Sequence, residues 1–533
     1  MDSIFSAEYC EYSPVHTGSN YTNQSKGTAW FSIKKSALGS IDSGFKVFSR
    51  ALRGKTWSFM IPTVKQQIAL TLSKATVGSL TIIENGESMV FGNPDDGGPH
   101  ICLTVLSEQF WVRLMLVQDL GFAEAYMAGE IAVDNLVNFI RFYIYNRAAL
   151  DTASSSPLVS SLMYLASTRF GNSVLNTASN ISAHYDLGNE MFEMFLDSSM
   201  TYSCAIWDGP GDTLEAAQLR KLDMLIDKAH LRPTDYVLDL GCGWGSLSMR
   251  AVQRTGCRVL GITLSTEQKE VAEQRIAKAG MSDRIKIMLI DYRNLNPAEH
   301  CFDRIISLEM VEHVGYEYLP VYFEQCHKLL HPQHGVMVLQ ASTMNEERYS
   351  EYRHTVDFIN KHIFPGGHCP SVSALVAGAT KGSNGMLMLE SAANFPDHYA
   401  RTLRVWRERF LSGYDKVLAM VAPKNPQLIL QERELVCSAD NSANNCDTDR
   451  PRISSDSSAT KCGSDTADSI TDTLDKTGSV GTRVTSYNDV FRRKWEYYFA
   501  YCEGAFATRT LGCTQLVFSR TYNEDLSNPW LIR

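Results

Sequence analysis

The chain of 533 residues has no apolar run near the roughly 20 residues that a helix needs to cross a bilayer, so no transmembrane segment is expected. Its start, "MDSIFSAEYCEYS", lacks the basic-then-apolar layout of a secretory leader. The 13 cysteines include no C-x-x-C pair and no dense, even spacing. Neither a zinc site nor a disulfide framework is therefore expected, and reduced thiols in a cytosol fit the pattern better. Basic residues are not in excess: 50 Lys and Arg face 59 Asp and Glu, a formal charge of -9, which gives no support to nucleic-acid binding. The same balance argues against holding an anionic membrane by bulk charge alone. These absences point to a cytoplasmic chain, and its length calls for two or more folded units.

What is there begins with a poorly patterned segment, residues 1–75. Residues 76–150 read as a small α+β domain. "LTIIENGESMVFG" places two β-rich runs around Asn85-Gly86, a hairpin signal, and helical periodicity follows in "FWVRLMLVQDLGFAEAYMAGE" and "LVNFIRFYIYN". Residues 151–180 form a connector. Strand and helix then alternate over 181–436 and resume over 486–525, predicting a Rossmann-like α/β sheet covered on both faces. Apolar runs end at "YVLDL", "CRVLGITL", "IKIMLI", "RIISL" and "GVMVLQ". Residues 437–485, rich in Ser, Asp and Thr, carry no periodicity and read as a disordered insert looping out of one domain.

"VLDLGCGWGSLSMRAV" is a strand running through Gly241-Cys242-Gly243-Trp244-Gly245 into a helix. Glycines let the backbone approach a ligand, and the helix start offers unpaired N–H groups. There is no room for the dinucleotide fingerprint G-x-G-x-x-G. Asp239, one residue, then alternating glycines resembles the S-adenosylmethionine-dependent methyltransferases. That resemblance makes Asp239, Gly241, Cys242, Gly243 and Gly245 candidate cofactor residues. The second strand ends without the acid that often holds the ribose, and Thr263 and Gln268 are expected to supply those hydrogen bonds. Asp291 and Tyr292, in "IDYRNL", are expected near the adenine.

The segments "HYDLGNEMFEMFLDSSMTYSCAIW", "MVEHVG", "DFINKHIFPGGHCPS", "WRERF" and "CEGAF...QLVFSR" together resemble the cyclopropane-fatty-acyl-phospholipid synthases from about Glu108 to Arg520. The resemblance implies a class I methyltransferase sheet with a helical cap, preceded by a lipid-engaging domain. It implies methylene transfer from S-adenosylmethionine to a cis double bond of a phospholipid acyl chain. The resemblance adds Tyr202 and Ser203 of the "YSC" segment to the cofactor residues, and it implies a bound bicarbonate that removes the proton, held by a backbone group near that segment, where Cys204 matches the family cysteine, and by a Glu, a His and a Tyr. Glu312 matches the Glu; Gln340 stands at the His and Arg407 at the Tyr of "WYERF". Cys502 matches a cysteine suspected of catalysis in relatives, although the chemistry does not require it. The implied partners are a phospholipid surface, visited transiently, and a second copy of the chain; no metal is expected. Rival readings are a methyl-branching enzyme, an amine N-methyltransferase, in which Glu312 would steer a cationic amine, and a non-catalytic lipid or cofactor sensor.

Overall fold

The computed structural model describes residues 61–151, 188–421 and 487–526, and the connector and the polar insert fall outside them. The first described element is a helix, α1 (Ile61–Leu72), inside the segment that reads poorly from sequence. A four-stranded sheet in the order β2-β1-β3-β4 follows, built from β1 (Ser79–Glu84), β2 (Glu87–Gly92), β3 (His100–Val105) and β4 (Ile131–Val133). Asn85 and Gly86 both take positive φ, 51° and 85°, and pair Glu84 with Glu87, the two-residue hairpin expected of Asn-Gly. Helices α2 (Gln109–Met127) and α3 (Leu136–Asp151) complete this layer.

The larger sheet has seven strands in the order β10-β11-β9-β8-β5-β6-β7. Its parallel part is β5 (Tyr236–Leu240), β6 (Arg258–Thr263), β7 (Ile285–Leu289), β8 (Arg304–Leu308) and β9 (Val336–Met344). These are the five apolar runs of the sequence, buried because helices cover both faces. Between β5 and β8 the strand order reverses, and open α/β sheets bind ligands at the carboxyl ends there. β11 (Leu511–Arg520) lies antiparallel between β9 and β10 (Leu387–Asn394), so residues after 486 complete a sheet begun before 421. β10 escaped the sequence reading because it is an outer strand with mostly exposed side chains and a register shift between Leu389 and Ser391. It offers no buried alternation to read.

The intervening helices are α4 (Asn189–Phe195), α5 (Leu214–Lys228), α6 (Ser246–Thr255), α7 (Thr266–Lys278), α8 (Leu319–Leu329), α9 (Glu346–Tyr352), α10 (Val372–Gly382), α11 (Pro396–Val421) and α12 (Tyr487–Ala507). α5 starts where the Thr213 side chain accepts from Ala216 N–H, and it buries Leu214, Ala217, Leu222, Leu225 and Ile226 on one face. The apolar face of α11, with Tyr399, Leu403, Trp406 and Phe410, joins α4 and α12 in one aromatic core. Among the described residues no helix is long and apolar enough to cross a membrane.

Candidate active site

One pocket opens at the carboxyl ends of β5, β6 and β8. Its wall includes Tyr202, Ser203, Gly241, Cys242, Gly243, Thr263, Gln268, Asp291 and Tyr292, nine of the positions singled out from sequence. Gly243 has φ 52°, and a Cβ built there would meet no protein atom within 4 Å, so space is left beside the loop for a ligand. Thr263 donates to Gln268 Oε1 at 2.7 Å, which leaves the glutamine's amide nitrogen as the donor for hydroxyl groups. Asp291 accepts from the Arg293 side chain and backbone and caps the short helix that presents Tyr292.

Two expected members stand behind the pocket rather than on its wall. Asp239 is buried and accepts from Ser248 Oγ at 2.6 Å, tying β5 to the first turn of α6; burial raises its carboxyl to about 6. Gly245, at φ 82°, is the left-handed residue from which α6 starts, and a Cβ there would press on Ala272 at 3.3 Å. Both shape the loop from beneath.

At the polar end of the site is a half-buried pair of carboxyl groups, Glu309, which lines the pocket, and Glu312 beside it. Glu312 accepts the Ser342 backbone N–H at 2.6 Å, while its Oε2 is buried with no hydrogen-bond partner among the described residues. Burial, and then the neighbouring Glu309, push its pKa up to about 8, so at neutral pH it is a neutral acid. Glu309, absent from the sequence-derived set, is better held. Oε1 accepts from Cys204 N–H at 3.0 Å and from Gln340 Nε2 at 2.6 Å, and Oε2 accepts from the Tyr399 hydroxyl at 2.7 Å. Burial raises its pKa above the ordinary carboxylate range, and these three donors and the buried Lys221 offset only part of that rise. Of the two acids Glu309 therefore ionises first. Its φ of 51° is a left-handed conformation uncommon for a glutamate, and such geometry gathers at functional positions.

Lys221 lies beneath this pair, with no exposed surface, and donates to Ser203 Oγ at 2.5 Å. Burial lowers it to about 8, against the opposing pull of Glu309. His313 also lines the pocket, its ring 5.5 Å from Phe364, and burial holds it neutral with a pKa near about 4.

Cys204 contributes its backbone N–H, while its thiol is buried and pushed upward by burial, which disfavours the thiolate. Arg407 is not in the site: it pairs with Glu503 on α12 at 3.0 Å. A phenol reaches the site instead from Tyr399, two helical turns earlier on α11. Cys502 is likewise away from the pocket, buried on α12, with its thiol pushed well above the ordinary range.

The anion seat expected for bicarbonate is thus filled by the chain itself. Cys204 N–H, Gln340 and a tyrosine hydroxyl all converge, and their acceptor is the Glu309 carboxylate. The donors that a bicarbonate would need there are spent.

A glycine loop opening into an adenosyl-sized crevice on this strand order defines an S-adenosylmethionine-dependent methyltransferase of class I. The mycolic acid cyclopropane synthetase family profile matches residues 173–428. The chain is 38% identical over 315 residues to the tuberculostearic acid methyltransferase of Mycobacterium tuberculosis, covering 56% of this chain and 72% of the relative. It is 30% identical over 426 residues to the cyclopropane-fatty-acyl-phospholipid synthase of Escherichia coli K12, covering 80% and 89%. Among solved structures, coclaurine N-methyltransferase shares the fold at 15% identity, with a TM-score of 0.50 over 75% of this chain and 98% of that one. The chain belongs to the cyclopropane synthase family, enzymes that move a methyl or methylene group from S-adenosylmethionine to lipid acyl chains.

Proposed function

We infer that this enzyme transfers a methylene from S-adenosylmethionine to the cis double bond of an unsaturated phospholipid acyl chain and closes a cyclopropane ring. The observation that carries the reading is the Glu309 carboxylate, half-buried on the wall of the cofactor pocket and held by three donors. The small α+β domain and the 89% coverage of a phospholipid-acting relative support the choice of substrate.

S-adenosylmethionine supplies an electrophilic methyl group. The residues of the glycine loop with Thr263, Gln268, Asp291 and Tyr292 would hold it, the backbone taking the close contacts and the side chains the hydroxyls. The alkene attacks and the acyl chain becomes a carbocation, which needs a dry, electron-rich surround. Tyr202 offers its ring, with Trp406 5.3 Å and Phe364 6.5 Å from it between centroids. Glu309 then acts as the base that takes a proton from the transferred methyl, and the C–H electron pair closes the ring. Neutral Glu312 keeps the pair at one negative charge, so a full carboxylate remains for that proton.

A second reading, methylation that leaves a methylene branch for a separate reductase to saturate, is favoured by one observation: the 38% identity to a tuberculostearic acid methyltransferase. Both routes end by losing a proton from the transferred methyl; branching adds a hydride shift first. Incubation with unsaturated phospholipid vesicles, followed by proton NMR of the released acyl chains, decides. Upfield ring protons support cyclopropanation, vinylidene protons the branch, and unmodified chains neither.

A further inference from the structure

Gln340 gives Glu309 its amide nitrogen, yet the same side chain turned over would give its oxygen and repel the carboxylate. What fixes the sense of the amide lies on the next strand. β9 and β11 place Gln515 directly opposite Gln340, and both are buried. Gln515 Nε2 donates to Gln340 Oε1 at 2.8 Å. Gln515 Oε1 in turn accepts from Lys228 Nζ at 2.6 Å. An ammonium group has donors only, so Lys228 admits only the oxygen of Gln515. Gln515 must then turn its nitrogen to Gln340, and Gln340 must turn its own nitrogen to Glu309, closing the chain at 2.6 Å.

We propose that Lys228 is a positioning residue of this reaction, its ammonium setting the polarity of a hydrogen-bond wire through Gln515 and Gln340 that keeps an N–H aimed at Glu309. Lys228 sits in the last turn of α5, half-buried, and does not line the cofactor pocket. The inference rests on the reading of Glu309 as the base. The other groups that bear on Glu309 are Lys221, Glu312, Tyr399, Cys204 and Cys513. None belongs to the wire, so the charge at 228 can be varied by itself.

The test compares Lys228→Arg, Lys228→Met and Lys228→Glu, reading the protonation of Glu309 against pH from its infrared carboxyl stretch, with Glu309→Gln as the reference. Lys228→Glu accepts from Gln515, turns both amides over and aims an oxygen at Glu309. The expected result is ionisation displaced upward by about one pH unit, a tenfold change in the protonated-to-ionised ratio. Lys228→Arg should match the native enzyme and Lys228→Met should fall between. With Gln515→Leu in the background, Lys228→Glu should add nothing. An unchanged Glu309 in Lys228→Glu, or an equal displacement in Lys228→Arg, overturns the proposal. The infrared signal needs no turnover. If it follows the charge at 228 while no methyl reaches an acyl chain, the wire stands and the substrate reading falls.

Discussion

The Tyr399 hydroxyl donates to Glu309 Oε2 at 2.7 Å across 90 residues of sequence, joining α11 to the end of β8. That bond, with those from Cys204 and Gln340, holds the carboxyl group in one orientation, as the proposed base requires. Glu309→Gln keeps the size and removes the base, and the account expects turnover to fall by about a hundredfold or more with cofactor binding largely intact. Calorimetric titration with S-adenosylhomocysteine beside the rate assay separates the two. Tyr399→Phe removes one donor to a charged group, worth on the order of 2 kcal/mol, and should cost roughly tenfold or more. It should also move the acid limb of the pH–rate profile upward, because the ionised form loses support.

Glu312 should leave its mark on stability. Its folded pKa of about 8 lies above the ordinary 4.5, so between those values the native state keeps a proton that the unfolded chain has lost. Stability then falls as pH rises through that window. Melting curves at pH 5 and pH 8 should show a smaller loss for Glu312→Gln than for the native enzyme. An unchanged pH slope would mean that Glu312 is ionised in the fold.

Neither Cys502 nor Arg407 lines the cofactor pocket, and neither is expected to take part in the chemistry. Cys502→Ser is expected to hold activity within about threefold, since a buried thiol there is a small apolar filler. Arg407→Met leaves Glu503 buried with one partner fewer, Arg404 remaining at 2.8 Å. Its effect should therefore appear in the melting temperature, with little change in the rate of surviving enzyme. A hundredfold loss in either variant, at native stability, contradicts the site as built here.

The parallel strands were legible because buried strands are continuous apolar runs, and the glycine loop because its spacing is itself the constraint. The polar end of the site was not. Glu312 stood out through "MVEHVG", whereas Glu309, proposed here as the base, follows "RIISL" directly, at the end of a buried strand. Tyr399 was hidden by the neighbouring "WRERF". Helical spacing could have found it: Tyr399, Thr402, Leu403, Trp406 and Phe410 share the buried face of α11, and Arg407, with 21% of its side chain exposed, does not. Lys221 falls at i+4 from Ala217 and i−4 from Leu225 on the buried stripe of α5, but a lysine at such a position reads as solvated until the fold encloses it.

The most direct test of the account is transfer of labelled methyl from S-adenosylmethionine to phospholipid vesicles bearing cis-unsaturated chains, run with bicarbonate supplied and with it rigorously removed. The account predicts label in the acyl chains, each gaining about fourteen mass units (one CH2 added to the alkene), at the same rate in both conditions, because Glu309 occupies the anion's seat. Unlabelled acyl chains, or a rate that collapses without bicarbonate, would contradict it.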